Sequence, residues 1–96
     1  MKLKRKPTSP GEILKEEFLI PLNMTQKKLA EHLKCDVKVI NRIINEKSSV
    51  SAEMALKLGA ALNTSPEFWT NAQRSIDVYN AQKSIGKLPK PIFKAR

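Results

Sequence analysis

In the stretch TQKKLAEHLKCDVKVINRIINEK, residues 25–47, two amphipathic runs are separated by only Lys34-Cys35-Asp36. A link of three or four residues is what joins two helices at a steep angle. Leu29, Ala30 and Leu33 fall on one face of the first run, and Ile40, Ile43 and Ile44 on one face of the second. Both sets recur at helical spacing. Ala30 is small where the helices approach, Cys35 brings an apolar side chain into the turn, and Ile40 and Ile43 hold the second helix down. The face left over carries Lys38, Asn41, Arg42 and Asn45, at i, i+3, i+4 and i+7, as a single stripe.

The rest of the chain reads as more helix. Ser9-Pro10-Gly11-Glu12 opens a first helix with an N-cap, a first-turn proline and a capping box. Leu14, Phe18 and Leu19 give it an apolar side, and Pro21 ends it near Ile20. Thr25 and Asp36 cap the second and third helices, and Ser51 caps a fourth containing Ala55, Leu58 and Leu62. Asn63-Thr64 breaks it, and Ser65-Pro66-Glu67 starts a fifth, which carries Phe68, Trp69, Ala72, Ile76 and Tyr79 to about Lys83. Gly86, Pro89 and Pro91 mark 84–96 as a non-helical tail, with Pro91-Ile92-Phe93 as the one short strand-like piece. Aromatic residues make up only 5% of the chain, so the core is aliphatic and suits helix packed on helix. The expectation is one all-α domain of five helices over 9–83, between a basic arm (1–8) and a basic tail (84–96), both flexible.

The formal net charge is +9, and its placement matters more than its size. Lys2, Lys4, Arg5 and Lys6 lie at one end, and Lys87, Lys90, Lys94 and Arg96 at the other. Between them, residues 25–47 hold a local excess of +3. A basic balance of this kind points to nucleic acid. The basic start MKLKRKP is followed by no apolar run, so no secretory signal is expected, and no stretch is long enough for a membrane span. Cys35 is the only cysteine, which favours a reducing, cytoplasmic location. Catalysis is not expected. His32 and Cys35 alone do not make a zinc site, and no Gly-rich phosphate loop is present. Glu16 and Glu17 beside Lys15 read as a solvated helix face, and His32 as a solvent-side residue. No cofactor, metal or small-molecule substrate is therefore expected.

On residues alone, the stripe is either a solvated face or a surface that reads DNA. Lys and Arg can bond guanine N7 and O6, and Asn can bond adenine. Val37 and Val39 sit on or near the same outward face, where a valine can meet a thymine methyl.

The stretch 25–47 resembles the helix-turn-helix of the phage-repressor (Xre/Cro) class. PGEILKEEFLIPLNMTQKKLAEHL and SAEMALKLGAALNTSPEFWTNAQRSIDVY narrow the resemblance to the HigA (VapI-like) antitoxins, over residues 10–79. The resemblance implies a five-helix, lambda-repressor-like domain. It also implies a homodimer that represses its own operon at a palindromic double-stranded operator and neutralises a HigB-like RNA-cleaving toxin. Mapped onto that family, Val37, Lys38, Asn41 and Arg42 take the base-facing places. Gln26 takes the place that docks the second helix on a phosphate, and Thr25, Lys27, Asn45 and Lys47 fall to the DNA backbone. Trp69, Ile76 and Tyr79 fall to the dimer interface, with Trp69 in a segment where dimer and core contacts mix.

Three departures from the family pattern bear on the site. Lys34 stands where glycine is usual, so a left-handed turn there implies strain of ~1–2 kcal/mol. Glu46 also replaces a frequent glycine and places a negative charge beside the expected phosphate path. Cys35 replaces valine and reads as a small buried hydrophobe. Two other functions remain open at this point: a solitary regulator without a toxin, and a protein-binding module that has lost DNA reading.

Overall fold

The computed structural model describes residues 5–93, and these form five helical segments with no strand among the described residues. The first helix, α1, opens as an α-helix over Pro10–Ile13 and continues as a π-helix over Leu14–Leu19. Then follow α2 (Gln26–Leu33), α3 (Val37–Ile44), α4 (Ala52–Leu62) and α5 (Pro66–Ile85). No helix among the described residues is long and apolar enough to cross a membrane.

Each start follows from its cap. The side chains of Ser9, Thr25, Asp36, Ser51 and Ser65 accept from the backbone N–H of Glu12, Lys28, Lys38, Met54 and Phe68, at 2.8 to 3.2 Å. Each bond satisfies an N–H that the helix itself cannot. Pro10 and Pro66 take first-turn positions, where the missing N–H costs nothing.

Helix α1 is not the uniform α-helix expected from its sequence. The Ile20 N–H donates to the Lys15 carbonyl, five residues back, at 3.0 Å. Residues five apart come close to alignment on a π-helix, and this brings Leu14 and Leu19 together into the core at 0% and 5% exposure. An α-helical winding would set them on diverging faces. Two other expectations are corrected at the C-terminal end. Helix α5 runs past Lys83 to Ile85 and stops at Gly86, whose φ of 75° suits a residue without a Cβ. Pro91-Ile92-Phe93 forms no strand; it is exposed, with no neighbouring strand to bond its backbone. Lys2, Lys4, Lys94 and Arg96 lie outside the described residues, so the outermost parts of both basic ends do too.

The core is one cluster. Leu14 and Leu19 of α1, Leu29, Ala30 and Leu33 of α2, Ile40 and Ile43 of α3, and Met54, Ala55 and Leu58 of α4 close around Trp69 of α5. Phe18 and Phe68 pack edge-on and tilted against each other and against the Trp69 indole, with centroids 5.1 to 6.5 Å apart. The Trp69 Nε1–H donates to Thr64 Oγ1 at 2.8 Å, so the buried indole keeps its partner. Gly11 lies so close to the end of α3 that an added Cβ would collide with the Ile43 carbonyl oxygen and sit 2.7 Å from Ile44 Cα. That approach fixes α3 against the start of α1. The last buried residue of α5 is Ile76, and the helix continues to Ile85.

Lys34, the C-cap of α2, has φ 58° and ψ 49°, so the chain takes the left-handed conformation that the usual glycine would take freely. Its N–H and that of Cys35 bond back to the Glu31 and Ala30 carbonyls, closing α2 before α3 begins. Lys34→Gly is expected to stabilise the fold by about 1 kcal/mol, since the relief of left-handed strain exceeds glycine's added unfolded-state entropy. Urea denaturation of the two proteins measures the difference.

Candidate nucleic-acid interface

The interface is built by α2 and α3 around that turn. Ile40 and Ile43 are 0% and 3% exposed, which fixes which side of α3 faces out. Lys38, Asn41, Arg42 and Asn45 are all exposed on the opposite side, as the spacing requires. Val37 and Val39 are exposed beside them at 40% and 37%. Cys35 is half-buried and packs against the core from the turn, a free thiol in the place of a small hydrophobe.

Helix α2 braces this surface from behind and supplies one side chain to it. Gln26, the first residue of α2, reaches Asn41, whose Nδ2–H donates to Gln26 Oε1 at 3.2 Å. Asn45 Nδ2–H in turn donates to Asn41 Oδ1 at 3.1 Å. Spacing alone put Asn41 and Asn45 on one stripe but gave no sign that Gln26 joins them. Thr25 is occupied as the cap of α2 through its Oγ1. Lys27, Lys28 and Lys47 are exposed.

Glu46 also has a positive φ, 58°. Its carboxylate does not stand alone, because Lys6 Nζ lies 3.0 Å from Glu46 Oε1. The pair joins the basic N-terminal segment to the loop after α3, across 40 positions of sequence. Sequence reading flagged Glu46 as an unfavourable charge but could not see its partner. The loop is closed from within by the Lys47 N–H, which donates to the Arg42 carbonyl at 2.8 Å.

The residues assigned to a dimer contact divide. Trp69 is 0% exposed and Ile76 4%, so both are used by the monomer's own core and offer almost no surface to a second copy. Their helical spacing marked an apolar face, and that face packs inward. Tyr79 keeps surface, next to Val78 at 49% exposure and with Lys83 Nζ 5.5 Å from its ring centroid.

A braced helix that presents Lys, Arg and Asn outward across a three-residue turn defines a helix-turn-helix protein. Residues 14–69 match the family described as Helix-turn-helix. The chain is 41% identical over 95 residues to Antitoxin HigA-1 of Vibrio cholerae, covering 96% of this chain and 90% of that protein. The solved structure described as Pseudomonas aeruginosa antitoxin HigA with higBA promoter superposes with a TM-score of 0.87 at 35% identity, covering 92% of this chain and all of that one. Another, antitoxin GraA in complex with its operator, gives a TM-score of 0.82 at 36% identity, covering 97% and 99%. The chain belongs to the HigA-type antitoxins, a family of helix-turn-helix transcription regulators.

Lys6 and Glu46 are both substantially exposed, at 51% and 41% of their side chains. Exposed pairs of this kind contribute roughly 0–1 kcal/mol. Glu46→Gln is therefore expected to change folding stability by less than about 1 kcal/mol, measured by thermal unfolding.

Proposed function

We propose that the protein is the antitoxin of a toxin–antitoxin pair. It acts as a dimeric repressor of its own operon and binds and neutralises a HigB-like RNA-cleaving toxin in the cytoplasm. The observation that carries this reading is the exposed Lys38–Asn41–Arg42 stripe on a helix buttressed by Ile40 and Ile43. The same fold occurs in relatives whose structures are described with a promoter and with an operator. In this reading Val37, Lys38, Asn41 and Arg42 meet base edges in the major groove, and Thr25, Lys27 and Lys47 meet phosphates. Two copies place their α3 helices about one helical turn, ~34 Å, apart on a palindrome.

Two features of the chain support the partner assignments. Val78, on the outer half of α5, is 49% exposed and Tyr79 keeps surface beside it, an apolar strip along which a second copy packs. Glu12, Glu16 and Glu17 are exposed on α1, and in this reading that solvated face is open to the toxin.

Fluorescence anisotropy on the protein's own upstream DNA and on a scrambled duplex, at two salt concentrations, tests the central point. A preference that survives higher salt supports a sequence-specific repressor. Equal and salt-sensitive binding to both duplexes favours the protein-binding module instead. Arg42→Ala is expected to cost ~1–3 kcal/mol on the specific site and to relax base preference there. Lys27→Ala should weaken all duplexes alike and flatten the salt slope by about one unit. The same titrations measure both.

A further inference from the structure

Asn41 is the one side chain of the outward stripe held at both ends of its functional group. Its Nδ2–H donates to Gln26 Oε1 at 3.2 Å, and its Oδ1 accepts from Asn45 Nδ2–H at 3.1 Å. Both anchors sit on fixed backbone. Gln26 is the first helical residue after the Thr25 cap. Asn45 is the C-cap of α3, and its N–H bonds the Asn41 carbonyl at 3.0 Å. The three amides therefore form a ladder from the start of α2 to the end of α3.

A carboxamide has two N–H donors and two acceptor lone pairs. The ladder uses one of each on Asn41 and leaves one of each free. One donor and one acceptor on a single planar group are what adenine requires, with N7 accepting and N6–H donating. The direction of the ladder also matters. An amide rotated by half a turn exchanges its donor and acceptor, and an unrestrained asparagine presents either order.

We infer that Gln26 is a positioning residue for base recognition, with Asn45 as its counterpart, and that the ladder orients Asn41 to read one adenine per half-site. This rests on the DNA-reading function proposed above. It gives Gln26 and Asn45 a role different from phosphate docking. Gln26 needs only to accept a hydrogen bond. A glutamate at position 26 keeps that acceptor, and a lysine offers donors alone and forces Asn41 to turn over.

The charge changes run in the opposite sense, which separates the two roles. Binding-site selection from a random duplex library, followed by titration of single-base variants, is carried out with the full-length wild type and with Gln26→Glu, Gln26→Lys and Asn41→Ala. Thermal melts check that each variant is folded. The wild type is expected to prefer adenine at one position of each half-site by roughly tenfold, and 7-deazaadenine there to lose that preference. Asn41→Ala should lose it, Gln26→Lys should lose it while binding DNA more tightly overall, and Gln26→Glu should retain it while binding more weakly overall. If Gln26→Lys tightens binding to every duplex and leaves the adenine preference intact, Gln26 is a phosphate contact and the inference is overturned. A wild type that selects a sequence, with Asn41→Ala selecting the same one, also overturns it and leaves the repressor reading standing. A wild type that selects no sequence overturns both.

Discussion

The outward stripe of α3 depends on the packing of α2 against α3 across a three-residue turn. Leu29, Ala30 and Leu33 meet Ile40 and Ile43, and all five are nearly or fully buried. With so short a link, the second helix has little freedom to roll. A roll of α3 by one residue would turn its outward face through about 100° and replace the stripe with a different set of side chains. The turn achieves its sharpness at Lys34, which accepts a backbone conformation that costs an L-residue roughly 1–2 kcal/mol. The strain persists because α2 and α3 together bury enough apolar surface to over-determine it. Gly11 adds a second constraint from α1, since no side chain fits between it and the Ile43 carbonyl. The position of α3 is thus set from two sides, by its predecessor in sequence and by a helix distant in sequence.

The elements that sequence reading found are those written in local chemistry. Five caps, two first-turn prolines and the apolar periodicity of α2, α3 and α4 act within three or four residues of one another. Local bonds of that range are legible because the residues that make them are adjacent on the page. The outward direction of Lys38, Asn41 and Arg42 was legible for the same reason, once Ile40 and Ile43 had fixed the inner face. The π-helical turn was not. It reconciles Leu14 and Leu19 with one core, a demand made by helices elsewhere in the chain. Trp69 and Ile76, assigned to a dimer contact, lie in the monomer's own core for a related reason. An apolar face on a helix shows that something covers it, and whether the cover is the same chain or another is a matter of tertiary structure.

Charge gave the least away. Residue counts locate a modest excess in 25–47, and the family resemblance marks Glu46 as a negative side chain where glycine is frequent. The fold sets Lys6 against it, so the N-terminal segment and the loop after α3 cancel part of each other's charge. The pair is too exposed to matter much for stability. Its consequence is positional, because it brings Lys6 to the edge of the helix-turn-helix surface and partly offsets the Glu46 charge there. No one-dimensional reading of net charge resolves this, since both partners were counted correctly and only their proximity was missing.

The amides of the outer face follow a similar logic on a smaller scale. Exposed polar side chains ordinarily gain little from bonding one another, because water competes for every donor and acceptor. Fixing a side chain in one rotamer also loses conformational entropy. The Gln26–Asn41–Asn45 ladder is therefore poorly explained as a source of stability. Its anchors explain it better. One lies at the first residue of α2 and the other at the last capping position of α3, the two points at which the backbone geometry of the pair is most fully specified. Ordering Asn41 before it meets a partner lowers the entropy lost at the encounter, so binding is stronger for the same contacts. The turn that places α3 and the ladder that orients its central amide then address one physical requirement at two scales, the arrangement of polar groups in advance of the surface they are to match.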